Sequence, residues 1–406
     1  MKVSEDWIKT LISARRVLPI LSKATASRVI VRLIICLTVL LGIGQLIDCR
    51  RLIAGDASYD RVSGPCNLAF PEAHGPHIGY RTEWWYYTGN LWSEAGKHYG
   101  FQLTFFRRQL SPSGTRNDWP NPSSDWRTQQ LYLAHAAISD VDNKRFFQSE
   151  EIGRGIPGIA GAMRRGGTMD VFLKTWSARI TQREHVLKAS GDGFSFSMSA
   201  KPLKNPVLNG DSGYSLKGKS PQSASCYYSL TRLSTQGSLT INGKTVDVSG
   251  IAWMDHEFSS APLEPDLVGW DWFSLQLDNN TEIMLYFLRT KDGSFSPASS
   301  GTFVKADGEK VLLSRGDLHL EVFDRWKSNK SGALYPSRWK LEIKPVGIFL
   351  EIEPALADQE LETRESTRVT YWEGSVSASG TLGSKPVRGF GYVELTGYAK
   401  PFDSPM

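Results

Sequence analysis

Residues 250–258, GIAWMDHEF, place a carboxylic acid, an imidazole and a second carboxylate in consecutive positions: Asp255, His256 and Glu257. Trp270, Asp271 and Trp272 follow after a short linker, and Tyr286 stands in the next apolar run. Acid–base chemistry on an apolar substrate needs an acid that delivers a proton, a base that orients water, and aromatic faces that steady a cation between the two steps. Alternate residues of a strand point to opposite faces, so Asp255 and Glu257 share one face while Met254, His256 and Phe258 share the other. One strand cannot aim all three polar groups into one cavity; either the histidine or the carboxylates face inward. The competing reading makes Asp255 and Glu257 salt-bridge or turn ligands between domains and His256 a hydrogen-bonded interface histidine, with no catalysis. Glu83, beside Trp84 and Trp85, is either a second polar group among rings or a solvated strand-end carboxylate.

Other chemistries find little support. His74 and His77 share a Pro/Gly loop, His135 sits in an expected strand, and no histidine has a zinc-like spacing partner, so neither a metal nor a cofactor is expected. There is no G-x-S-x-G elbow. The glycine-rich stretch 153–167 lacks the Gly-Lys-Ser/Thr ending of a phosphate loop and is expected as a flexible loop over a barrel mouth.

The elements that must hold these residues read as strands. Short alternating runs at 85–91, 101–107, 131–138, 194–198, 238–241, 270–277, 283–289 and 338–343 are separated by Gly, Asn, Asp and Ser clusters. Asn242-Gly243 and Asp292-Gly293 are tight-turn dipeptides. Two blocks recur in the same order: 83–107 matches 269–289, with Trp84 on Trp270, and 250–256 matches 389–395, with Asp255 on Glu394. The repetition predicts two β units, 66–258 and 262–402, joined by the linker 259–266, each closed into a barrel to remove its edges.

With 406 residues, 40% of them hydrophobic, the chain is long enough for two cores. Its net charge of +5 lies entirely in residues 1–32, so the body is neutral and offers no basic footprint for nucleic acid. The uncharged run 33–47 then predicts a signal or short anchor helix within segment 1–51, with the basic N-terminus in the cytoplasm and the body exported to the periplasm or held on the cytoplasmic membrane. Asp48 stands where a lipid-attachment site before Cys49 would want a small residue, so lipidation is not expected. Cys36 belongs to the apolar run, leaving Cys66 and Cys226 in the body; spacing does not pair them, and two unlinked buried thiols are the preferred expectation over a disulfide.

TEWWYYTGNL, FQLTFFRR, YLAHAAISD, GIAWMDHEF, GWDWFSLQL and GYVELTGY together resemble the AttH-like family, which includes carotenoid 1,2-hydratase and is related to lipocalin-like pericyclases. The resemblance runs from about Gly64 to Phe402 and implies an all-β body of two consecutive lipocalin-like barrels. It also implies a site for hydration of an isoprenoid-like alkene. By motif, that site carries over as His256 and Tyr286, while Phe258 stands at a Trp position and Leu288 at an Asp position. With Asp255 added, His256 and Tyr286 form the expected catalytic set, and Trp84, Trp85, Phe258, Trp270 and Trp272 the expected walls for an apolar small molecule or lipid. The alternative function is a non-catalytic carrier of hydrophobic ligands in the cell envelope.

Overall fold

The computed structural model describes residues 58–112, 115 and 127–402. The basic N-terminus and the apolar run 33–47, with the helix expected there, lie outside the described residues, as do Cys36 and Cys49. Among the described residues, no helix is long and apolar enough to cross a membrane.

The architecture is all-β, in two sheets. The first contains β1 (Thr82–Ser93), β2 (His98–Gln109), β3 (Gln130–Asp140), β4 (Arg145–Arg154), β5 (Ala160–Arg165), β6 (Thr168–Leu173) and β7 (Trp176–Ile180). It continues with β8 (His185–Gly191), β9 (Phe194–Pro202), β10 (Val207–Leu208), β11 (Tyr214–Leu216), β12 (Ala224–Ile241) and β13 (Lys244–Ser259). The second contains β14 (Leu267–Leu277), β15 (Glu282–Thr290), β16 (Ser300–Val304), β17 (Lys310–Ser314) and β18 (Leu318–Lys327). It ends with β19 (Leu334–Ile343), β20 (Ile348–Pro354), β21 (Glu360–Glu362), β22 (Thr370–Leu382) and β23 (Lys385–Leu395). The strand orders are β4-β3-β2-β1-β13-β12-β9-β8-β7-β6-β5 and β17-β16-β15-β14-β23-β22-β20-β19-β18. Each sheet curls around its own apolar core, one containing Trp85, Tyr87 and Trp176 and the other Phe273, Trp339 and Trp372. The edge strand β4 of the first sheet comes back against the far end of that sheet: a Cβ on Gly153 of β4 would lie 2.6 Å from Leu173 of β6 and 3.6 Å from Ala160 of the other edge strand, β5.

Local chemistry explains the strands. Along β9, Phe194, Phe196, Met198 and Ala200 are buried in alternation, the pattern of a half-covered sheet. Asn242 and Gly243 turn β12 into β13 with φ of 47° and 78°, the left-handed pair that a two-residue hairpin requires. The stretch 153–167 is not a loop throughout: residues 160–165 form β5 against β6, and Gly166 and Gly167 supply the turn at φ 53° and 81°. Contrary to the preferred expectation of free thiols, Cys66 and Cys226 are joined in a disulfide that ties the segment before β1 to β12.

The repeated blocks occupy equivalent places. Trp84 lies on β1 between β2 and β13, and Trp270 on β14 between β15 and β23. The correspondence extends to close backbone contacts. A Cβ on Gly250 would lie 2.0 Å from the Asn90 carbonyl, and one on Gly389 would lie 2.3 Å from the Gln276 carbonyl. From Ala252 to Ser259 every residue of β13 is buried, which needs cover on both faces. One face packs into the first core. The other meets the second sheet through a separate cluster containing Tyr86, Tyr227, Trp253, Trp272 and Tyr286.

Candidate functional site

Between the sheets lies a cavity of about 210 Å³ whose lining includes Trp84, Asp255, Glu257, Trp270, Trp272 and Tyr286. Two matching rows of residues run beneath its walls, and all but Ser229 line the cavity. Across β2, β1, β13 and β12 the row is Thr104, Tyr86, Asp255 and Ser229. Across β15, β14, β23 and β22 it is Tyr286, Trp272, Glu394 and Glu373. The strand pleat turns each row to one face, so the duplicated fold brings one acid from each half, Asp255 and Glu394, into the same space.

Asp255 is 3% exposed. Its Oδ1 accepts hydrogen bonds from Ser229 Oγ at 2.5 Å and Trp253 Nε1 at 2.6 Å, and its Oδ2 accepts one from Tyr227 Oη at 2.5 Å. Trp272 Nε1 in turn donates to Tyr227 Oη at 3.0 Å. Burial pushes the Asp255 carboxyl up to about 7; the Ser229, Tyr227 and Trp253 hydrogen bonds resist this, and the neighbouring Glu257 charge adds to it. Asp255 thus takes up and releases its proton near neutral pH. Glu257 pairs with Lys217 at 3.3 Å, and the Lys217 ammonium sits 3.9 Å from the Tyr286 ring centre and 4.8 Å from that of Tyr227. Tyr286 donates its hydroxyl to the Leu216 carbonyl at 2.8 Å and accepts from Ser300 at 2.7 Å, so its ring rather than its proton serves the cavity.

His256 takes the opposite face of β13, and this separates it from Asp255 and Tyr286, with which the sequence grouped it. It is fully buried. Its Nε2 is 2.9 Å from Glu83 and its Nδ1 3.0 Å from the Tyr228 hydroxyl, which also reaches His74 at 2.6 Å. Glu83 receives Arg107 Nε at 2.8 Å and His77 Nδ1 at 2.7 Å as well. Burial would raise the Glu83 carboxyl, but the hydrogen bonds from His256 and His77 and the Arg107 charge overturn this and hold it well below the usual range. Burial lowers His256 to about 4 despite Glu83, so the ring is neutral; it donates from Nε2 and accepts at Nδ1. Glu83 is therefore neither a solvated strand end nor a cavity wall. Trp85 and Phe258 also leave the expected wall: Trp85 donates to the His74 carbonyl inside the first core, and Phe258 stacks on His77 at 3.7 Å.

His77, Glu83 and His256 present donor atoms within 4.8 Å of one another, a spatial grouping that the sequence spacing did not reveal. A cation fits poorly there, because Arg107 already neutralises Glu83 and both ring N–H groups point at the carboxylate. Sequence reasoning also missed Tyr227, Lys217, Glu373 and Glu394 as cavity residues. The repeat alignment of Glu394 with Asp255 was the available signal.

Residues 61–398 match the family profile described as AttH-like. The chain belongs to the AttH-like family. A solved protein of Nitrosomonas europaea described as an AttH is 32% identical and superposes with a TM-score of 0.72, covering 83% of this chain and 100% of the other. Kievitone hydratase of Fusarium solani subsp. phaseoli is 27% identical over 176 residues, which is 41% of this chain and about half (48%) of that enzyme. The crystal structure of kievitone hydratase from Nectria haematococca shares the fold at a TM-score of 0.64 and 18% identity, covering 85% of this chain and 98% of the other.

Proposed function

We propose that this AttH-like protein is a hydratase-type enzyme that adds water across an alkene of an apolar isoprenoid- or polyketide-like molecule held between the sheets. The observation that carries the reading is Asp255: a buried carboxyl, its proton affinity raised by burial, on the wall of a cavity shared with Trp84, Trp270 and Trp272. Asp255 protonates the alkene, the indole and phenol faces stabilise the resulting tertiary cation, and water captures it. The Tyr286 and Tyr227 rings can face a positive charge, since the Lys217 ammonium, paired with Glu257, already rests over both. The partial match to kievitone hydratase supports a small-molecule substrate and hydration chemistry.

The test uses prenylbenzene, an arene with one trisubstituted alkene, in heavy-oxygen water and in deuterium oxide. A tertiary alcohol carrying the heavy oxygen, and one new deuterium in the second solvent, is expected from wild type and absent from Asp255→Asn. Product formation unchanged in Asp255→Asn removes Asp255 as the acid. A second reading, a carrier of hydrophobic ligands, is favoured by Phe258 and by Leu288, which lines the cavity where the hydratase pattern has an acid. It predicts saturable quenching of cavity tryptophan fluorescence by prenylbenzene without product.

We further infer export. The basic N-terminus with its apolar run supports it, and the Cys66–Cys226 disulfide suits an oxidising compartment. The duplicated units 66–258 and 262–402 are taken as its two domains. A C-terminal reporter active only in the cytoplasm would overturn the export reading.

A further inference from the structure

We propose that Glu373 and Glu394 form a proton-sharing acid–base pair on the second sheet's wall of the cavity, and that this pair takes the proton from the water that attacks the cation. The inference rests on the hydration reading and extends it, because Asp255 alone supplies an acid and no base. The two residues are direct cross-strand partners on β22 and β23. Like charges in such positions repel, and burial strengthens the repulsion, so the favoured state of the pair holds a single proton between two carboxyls. In the first half the equivalent place opposite Asp255 is occupied by Ser229, a neutral donor. The second half thus departs from its counterpart by adding an acid, at a position where an uncompensated charge costs stability.

The surroundings favour function over structure. Glu394 Oε2 accepts Trp270 Nε1 at 2.8 Å, while Glu373 is 2% exposed and faces the Tyr86 and Tyr371 hydroxyls. Lys217, which lines the cavity with Arg81, is engaged by Glu257 instead. Burial raises both carboxyls: Glu373 goes well above its ordinary range with the Glu394 charge adding to it, and Glu394 to about 7 with the Glu257 and Asp255 charges adding to it. Titratable groups face the pair from every side: Tyr86 on β1, Tyr371 on β22, Tyr392 on β23, and Asp255 and Glu257 on β13. Tyr371 leads outward. Its hydroxyl is 2.9 Å from His135 Nδ1, His135 Nε2 is 2.8 Å from Ser366 Oγ, and Ser366 donates to Glu150.

The step balances. The Asp255 proton forms the new C–H bond as the π bond breaks, leaving an Asp255 carboxylate and a tertiary cation. A water lone pair forms the C–O bond, and its released proton goes to the singly charged pair, which becomes fully protonated. That proton returns to Asp255 directly or through solvent by way of Tyr371, His135, Ser366 and Glu150, and the cycle closes without a co-reactant.

The experiment compares full-length wild type, Glu373→Gln, Glu394→Gln and Asp255→Asn on prenylbenzene across pH. Wild type is expected to give a bell: the rate rises as the pair loses its second proton and falls as Asp255 loses its own. Each glutamine variant is expected to lose about 10² to 10⁴ in kcat, with KM changed little and the acidic limb moved to higher pH, because the remaining carboxylate loses the hydrogen bond that its protonated partner gives it. Both variants retaining wild-type kcat and acidic limb would overturn the proposal even while Asp255→Asn is inactive and hydration stands. If wild type forms no product, the hydration reading and the catalytic role fall together. NMR titration with labelled glutamate side chains then still decides the sharing: two widely split steps, collapsing to one in either variant, support it, and two independent steps in the ordinary range refute it.

Discussion

Replacing His256 by alanine separates the two readings of the 250–258 strand, because the structure gives the imidazole a supporting role behind the cavity wall. The substitution removes a donor to the charged Glu83 at 2.9 Å, a loss of about 1.5–3 kcal/mol. It also removes the acceptor for Tyr228 at 3.0 Å, about 1 kcal/mol, and leaves a ring-sized void beside Trp85, whose centroid is 4.8 Å away. Arg107 and His77 stay on Glu83 and limit the damage. The expected total is about 3–5 kcal/mol, a large part of the typical 5–15 kcal/mol of a folded domain. Urea unfolding at constant slope should show this fall. The fraction that remains folded at low temperature should keep kcat on prenylbenzene within about tenfold, since the residues that line the cavity are untouched; a general acid or base would cost about 10²-fold or more. A variant with wild-type stability and a collapsed kcat would refute the structural assignment and return His256 to the reacting groups.

The same buried histidines set a pH dependence. His256 and His135 are lowered to about 4 and His74 to about 3, chiefly by burial, so between pH 6.5 and those values the unfolded chain binds more protons than the folded one. Stability is therefore fully present above about pH 6.5 and falls as pH drops toward 3–4; a midpoint of urea unfolding that is flat from pH 7 to 4 would contradict this. Cys66→Ser opens a loop of 160 residues and should cost about 2–5 kcal/mol, read as a lower thermal midpoint that reductant does not lower further. Trp270→Phe removes the indole donor to Glu394 and should shift the acidic limb of the rate profile to higher pH, because the lost hydrogen bond favours the charged carboxyl. An unmoved limb would detach Glu394 from that titration.

The sequence alone determined the strand character, the duplication and the division of β13 into two faces. These are local or repetitive properties. Alternation puts Asp255 with Glu257 and opposes them to His256 whatever packs nearby, Asn242-Gly243 specifies a hairpin by its φ preference, and the repeated spacing alone places Trp84 and Trp270 at equivalent positions. Which face of β13 meets the cavity was decided by tertiary structure. Both faces are buried, so hydrophobicity could not rank them; the carboxylates face the cavity because the second sheet packs on that side, while Glu83, His77 and Arg107 satisfy His256 on the other. The same reason hid Glu373. It lies 118 positions beyond Asp255 in the sequence, and only the pairing of β22 with β23 and the meeting of two sheets bring it to the shared wall. The disulfide was likewise beyond spacing, since 160 residues separate two cysteines that the return of β12 past the segment before β1 brings to a Cα separation of 5.9 Å.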